Sequence, residues 1–127
     1  MASRKIHSAL LANLKPNTKY LLKIEYDNQF YSNAIYKTLP ADGKTNITMI
    51  NGGDSGYTQA SHNLSQLVVN YKPDIIFMGG DIAYDNNIPA CAYTWDFFLN
   101  MIEGISNQVG YIIPLVLSVG NHDVGIN

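Results

Sequence analysis

Asp74-Ile75-Ile76-Phe77-Met78-Gly79-Gly80-Asp81-Ile82-Ala83-Tyr84 holds an apolar run too short for a helix, closed by two glycines and followed at once by an acid and then a phenol. A buried parallel strand has this form, because both of its faces are covered and no polar alternation is needed. Working outward, Leu64, Leu67, Val68 and Tyr71 recur at i, i+3, i+4 and i+7, a helical face that Lys72-Pro73 stops. Before that helix, Ile47 to Ile50 is a short β-branched run ending in Asn51-Gly52-Gly53. On the other side, Trp95, Phe98, Leu99 and Ile102 mark a second helix with Gly104 near its end. Leu115 to Val119 then makes a third buried strand before Gly120. The order is β-α-β-α-β. Right-handed crossovers would lay the three strands parallel with helices covering the sheet, half of a doubly wound layer. The expected fold class is therefore α/β over residues 41–127.

The first 40 residues read differently. Tyr20, Leu22, Ile24 and Tyr26 alternate with Leu21, Lys23 and Glu25, the period of a half-buried strand. Asp27-Asn28-Gln29 is a turn, a Tyr-rich strand runs from about Phe30 to Thr38, and Ile6 to Leu10 is a further strand carrying an exposed His7. Leu39-Pro40-Ala41-Asp42-Gly43 has the composition of a linker. The spacing Leu14-x-Pro16-x-Thr18-x-Tyr20 resembles fibronectin type III domains, in which the Tyr hydroxyl bonds back to nearby backbone and pins a corner of the sandwich. Only about three of that fold's seven strands fit before residue 40, so the expectation is the C-terminal strands of an all-β sandwich that begins upstream.

Composition narrows the function. The chain has 127 residues, 46% hydrophobic and 14% charged, with 8 basic against 10 acidic side chains and a formal charge of −2. No basic run exists to hold a phosphate backbone by counterion release, so no nucleic-acid partner is expected. No apolar stretch approaches the roughly 20 residues of a membrane span, and Met1-Ala2-Ser3-Arg4-Lys5 is not followed by a signal-peptide core. The single Cys91 forms no internal disulfide and reads as a small buried side chain.

In open parallel sheets, ligands bind beyond the carboxyl ends of the strands. There the sequence places Gly53-Asp54-Ser55-Gly56, Gly80-Asp81-Ile82-Ala83-Tyr84 and Gly120-Asn121-His122-Asp123. Any one Gly-Asp is a turn or a cap before it is a site. Three in register, each offering hard oxygen donors, suit hard cations. His7, His62 and the Trp95-Phe98-Leu99 stripe carry no expected role, and the sequons at Asn46 and Asn63 arise easily by chance.

The motifs Gly-Asp-x-Gly, Gly-Asp-x-x-Tyr and Gly-Asn-His-Asp, in this order, resemble the first three signatures of the purple acid phosphatases, within the calcineurin-like metallophosphoesterases. Gly56 and Tyr84 stand where most of the wider superfamily carries other residues, which argues against a phosphodiesterase or nucleotidase; a panel of phosphate monoesters against diesters would decide. The fibronectin-like segment is in keeping with the plant-type members. The resemblance implies a dinuclear centre of Fe(III) with Fe(II), Zn or Mn. Asp54 and Tyr84 would be ligands of the first metal, Asp81 the bridge between the two, and Asn121 a ligand of the second. It further implies hydrolysis of a small phosphate monoester by metal-activated hydroxide. His122 would be the catalytic residue that holds a phosphate oxygen or protonates the leaving alkoxide, and Asp123 would orient it. Family members are mostly secreted or held in acidic vacuoles and lysosomes. The family's Val-x-x-His and Gly-His-x-His ligands do not occur in this chain, so the expected site is incomplete and this chain alone is expected to be inactive; the alternatives are a non-catalytic binding or interaction module and a phosphodiesterase of the same superfamily.

Overall fold

A computed structural model of the chain describes residues 6–125; the basic start at Met1 to Lys5 and the final Ile126-Asn127 lie outside the described residues. Strands β1 (Lys19–Tyr26) and β2 (Gln29–Lys37) form an antiparallel hairpin. Asp27 and Asn28, with φ of 50° and 57°, make its two-residue turn. Both central residues of a type I′ turn need positive φ, and Asn and Asp tolerate it with least cost. The Tyr20 hydroxyl accepts the Lys15 N–H at 2.8 Å, and the Thr38 hydroxyl donates to Lys15 O at 2.7 Å. These bonds tie the approach segment to both strands.

The expected strand at Ile6 to Leu10 does not form. The segment is irregular and Ile6 is 99% exposed, because among the described residues no strand pairs its backbone groups, and an unpaired strand has no ladder to hold it.

The second sheet has order β3-β4-β5, with β3 (Met49–Gly52), β4 (Ile75–Met78) and β5 (Leu115–Leu117) all parallel, as the sequence predicts. Helix α1 (Gln59–Gln66) begins at Thr58, whose side chain accepts the Ser61 N–H. It tightens into a 3-10 turn over Leu67–Tyr71, ended by left-handed Lys72. Tightening departs from the continuous helix expected up to Tyr71, and it brings Val68 and Val69 onto the core. Helix α2 (Tyr93–Val109) ends at Gly110, φ 88°; Gly104 therefore lies inside the helix and not near its end. Its buried stripe is Thr94, Phe98, Met101 and Ile105, whereas Leu99 of the expected face is 53% exposed. Thr94 can be buried because its hydroxyl donates to Cys91 O at 2.8 Å. Cys91 itself is only half-buried.

Ile76, Ile82, Phe98, Met101, Ile105 and Ile113 form the core, with Ile50, Val68, Met78 and Leu115 packed against it. The helices thus lie against the Ile50-Ile76-Leu115 face of the sheet, while Met49, Phe77 and Val116 stay exposed, so the strands are covered on one face and not, as expected, on both. Among the described residues no helix is long and apolar enough to cross a membrane.

Hairpin and sheet are joined at one edge. Ile112 N–H donates to Ile35 O, and Lys37 Nζ bonds Asp74 Oδ1 at 2.8 Å while Asp74 Oδ2 accepts the Thr48 N–H at 3.0 Å. Burial pushes the Asp74 carboxyl up, but the Lys37 hydrogen bond, the Thr48 N–H and the lysine charge together hold it below the usual carboxylate range. A folded pKa lowered in this way contributes stability that is present above the unfolded value and lost as pH falls through the folded one. Between about pH 6 and about pH 3 the urea midpoint should therefore fall more in the wild type than in Asp74→Asn. The difference should be on the order of 1 kcal/mol; equal falls would show that this pair does not tie the hairpin to the sheet.

Candidate metal centre

The three strand ends converge because their loops share backbone hydrogen bonds. Asp54, Ser55 and Gly56 donate their N–H groups to the carbonyls of Gly80, Asp81 and Ile82 at 3.1, 3.0 and 3.1 Å. The loop after β3 is thus laid alongside the loop after β4. Gly80 and Gly120 meet backbone to backbone: a Cβ on Gly80 would lie 2.7 Å from Gly120 N. This contact brings the loop after β5 against the same point, and the short helix α3 (Asn121–Val124) starts there.

Asp54, Asp81 and Tyr84 all have left-handed backbone, with φ of 49°, 49° and 56°. Left-handed conformations are uncommon in side chains larger than Asn or Asp and cluster where the surrounding structure over-determines them, often at functional sites. Tyr84 is the most unusual, and its hydroxyl donates to Asp54 Oδ1 at 3.0 Å. Burial, that hydrogen bond and the charges of Asp54, Asp81 and Asp123 all push the Tyr84 hydroxyl up. It is a phenol in a negative field unless a cation enters.

Asp81 Oδ1 accepts the His122 N–H at 2.9 Å, so the start of α3 is docked on the aspartate. Asn121 opens that helix, exposed, one residue before the bond. The His122 ring stacks on Tyr84, centroids 4.5 Å apart and planes at 28°. Its Nδ1 lies 2.7 Å from Asn86 Oδ1, and its carbonyl accepts the Asn86 N–H at 2.9 Å.

Asp123 has a different task from the one expected of it. Its carboxylate accepts backbone N–H groups from Ile82 at 3.0 Å, Gly120 at 3.0 Å and, more weakly, Ala83 at 3.4 Å. Asp123 therefore clamps the loop after β4 to the loop after β5, and Asn86 contacts the His122 ring instead. Asn86 carried no signal in the sequence, because its neighbour across the fold is 36 residues away. Trp95 Nε1 donates to Asp85 Oδ2 at 3.0 Å, which ties the Tyr84-Asp85-Asn86 turn to α2. His7 and His62 lie elsewhere, in edge contacts with Tyr26 and Phe97.

The donor set suits a hard cation. Two oxygen ligands at adjacent corners of an octahedral ion with bonds of about 2.0–2.1 Å stand about 3 Å apart, the separation seen between Asp54 Oδ1 and Tyr84 Oη. Nearby aspartates supply negative charge for a cation to neutralise, and a bound cation reverses the field that keeps the phenol protonated. Among the described residues no group of three or more His, Cys, Asp or Glu side chains is gathered to hold a metal; of the expected donors, two carboxylates, a phenol and an amide, Asp54 and Tyr84 are the pair in direct contact.

The fold and its strand ends define an α/β chain with oxygen donors collected at the carboxyl edge of a parallel sheet. Curated proteins with similar sequences have a common name. The chain is 28% identical over 123 residues to "Purple acid phosphatase 21" of Arabidopsis thaliana, covering 96% of this chain and 25% of that protein. It is 30% identical over 138 residues to "Probable inactive purple acid phosphatase 27" of the same plant, covering 93% of this chain and 21% of that protein. To "Probable inactive purple acid phosphatase 1" it is 28% identical over 140 residues. The chain spans between about a fifth and a quarter of the length of these relatives. No protein-family model matches it. The similarities support a relationship to the purple acid phosphatases, some of which are named as probable inactive proteins.

Proposed function

We propose that this chain carries the first part of a purple acid phosphatase catalytic domain and takes part in metal-dependent hydrolysis of small phosphate monoesters. The observation that carries the reading is the pairing of Tyr84 with Asp54 at 3.0 Å, on backbone held left-handed at both residues, beside Asp81. In this reading residues 1–40 are the end of a fibronectin III-like domain and residues 41–127 the first half of a metallophosphoesterase sheet. Asp54 and Tyr84 would hold Fe(III), Asp81 would bridge, and Asn121 would hold Fe(II), Zn or Mn. When bound, the ions would neutralise phosphoryl oxygens and lower the pKa of water. His122, clamped between Tyr84 and Asn86, would hold a phosphate oxygen or supply the proton to the leaving alkoxide.

Adding Fe(III) to the chain should produce a visible tyrosinate-to-iron absorption band. Nine tyrosines are present, so the assignment needs Tyr84→Phe, which should abolish the band, and Asp81→Asn, which should weaken Fe(III) binding by at least about tenfold. A band of full strength in Tyr84→Phe would overturn the metal assignment. Phosphate monoester hydrolysis at acid pH by the loaded chain, lost in Asp81→Asn, supports catalysis. Iron binding without turnover is the outcome expected of an incomplete ligand set; a stable chain that binds no iron would favour the alternative of a non-catalytic binding module, in line with the relatives named probable inactive.

A further inference from the structure

His122 has two ring nitrogens, and which one carries the proton in the neutral imidazole decides what the ring can do. We propose that Asn86 is a positioning residue that fixes neutral His122 as the Nδ1–H tautomer, so that Nε2 is the nitrogen with the free lone pair. Nε2 is then the atom that takes up a proton, and only after doing so could it hold a phosphate oxygen or protonate the leaving alkoxide, a role that rests on the function proposed above; the tautomer assignment rests on the hydrogen bonds alone.

The orientation of the Asn86 amide follows from a further contact. Asn86 Nδ2 donates to the Tyr84 carbonyl at 3.3 Å. Turning the amide over would place its oxygen against that carbonyl, two acceptors facing each other with no proton between them. With the amide nitrogen committed to Tyr84, Oδ1 is the atom 2.7 Å from His122 Nδ1. An amide oxygen only accepts, so the proton in this short contact belongs to Nδ1. The neutral ring has one N–H, which leaves Nε2 bare.

Backbone geometry keeps the pair together. Asn86 N–H donates to His122 O at 2.9 Å, so main chain and side chain of Asn86 hold one residue at two points. Tyr84, Asn86 and Asn87 are left-handed, with φ of 56°, 53° and 56°, and Asn is among the few side chains that adopt this region readily. The stacked Tyr84 ring restricts rotation of the imidazole about its remaining freedom. An amide at this position also differs from a carboxylate: it fixes the tautomer without adding a charge to favour the imidazolium.

Nitrogen NMR of the 15N-histidine-labelled chain, without metal and with the imidazole neutral, reads the tautomer directly; the His122 signals are assigned by their loss in His122→Gln. The wild type should show a protonated Nδ1 and a bare Nε2. Asn86→Gly suits the positive φ and removes the amide, and should shift the population to the Nε2–H form that predominates in a free histidine side chain. Asn86→Asp restores an acceptor oxygen and should restore the Nδ1–H form. A wild-type ring protonated mainly on Nε2 overturns the proposal whatever the variants do, and so does an unchanged tautomer in Asn86→Gly. Because no iron is present, this failure is distinct from failure of the Tyr84 absorption test.

Discussion

Gly120→Ala is expected to disrupt the point on which all three site loops meet. The added methyl would overlap both the Asp81 carboxylate and the Asp81 backbone nitrogen. Gly120 itself has φ −102°, a conformation open to any residue, so the whole cost is steric. A flexible side chain could turn aside, but a backbone nitrogen already fixed in a packed loop cannot. Overpacking ordinarily costs about 1–3 kcal/mol, and this obstacle belongs at the upper end, about 3 kcal/mol. Displacing Asp81 would also break the bond that its Oδ1 makes with His122 N–H. Iron binding should therefore weaken along with stability. Gly80→Ala meets Gly120 from the opposite side, at 2.7 Å from its nitrogen, and adds the strain of φ 95°. Urea denaturation checks both variants; a loss below about 1 kcal/mol in either would mean that the loops are free to separate and that the site lacks the rigid corner described.

Asp123→Ala should have a comparable effect by the opposite route, through removal of an acceptor. Its carboxylate serves the N–H groups of Ile82, Ala83 and Gly120, and Ile82 and Ala83 are buried. A buried donor left without a partner costs about 1–3 kcal/mol. With one strong bond to a buried amide and one to the Gly120 amide, a loss of about 3 kcal/mol follows, or a fall in Tm of roughly 10 °C for a domain of this size. Asp123→Asn is the informative companion. Its oxygen can keep Ile82, but its NH2 then faces the Gly120 N–H, donor against donor, so it should recover only part of the loss. Hydrogen exchange gives a local check, since protection at Ile82 should drop in Asp123→Ala before the sheet amides open. Unchanged protection there would show that the carboxylate is not the clamp.

Three departures of the structure from local pattern have one cause. The resemblance gives Asp123 the task of orienting His122, yet on α3 its side chain turns toward the backbone amides around it, while Asn86 arrives from another loop. Proximity in sequence does not report which side chains meet across a corner. Similarly, the stripe through Trp95, Phe98, Leu99 and Ile102 was legible as a helix, but its exact buried edge was not. Periodicity identifies an apolar face of broad width; the position of Ile76 and Ile113 opposite it selects Thr94, Phe98, Met101 and Ile105 as the inward line. The lost strand at Ile6 to Leu10 belongs here too, since a strand exists only where another pairs with it.

By itself the sequence determined the features that depend on near neighbours. Short apolar runs ended by glycine, an i, i+3, i+4 pattern stopped at Lys72-Pro73 and Asp-Asn at a hairpin turn each satisfy local backbone and burial rules, and the parallel β-α-β-α-β order followed from them. The same local rules placed Asp54, Asp81, Tyr84 and Asn121 just beyond strand ends. Tertiary structure alone decided which of those groups touch. The 3.0 Å contact of Tyr84 with Asp54, the clamp made by Asp123 and the hold of Asn86 on His122 join residues 30 to 41 positions apart. Such contacts depend on the three-dimensional course of three loops packed through Gly80 and Gly120, which no local pattern encodes.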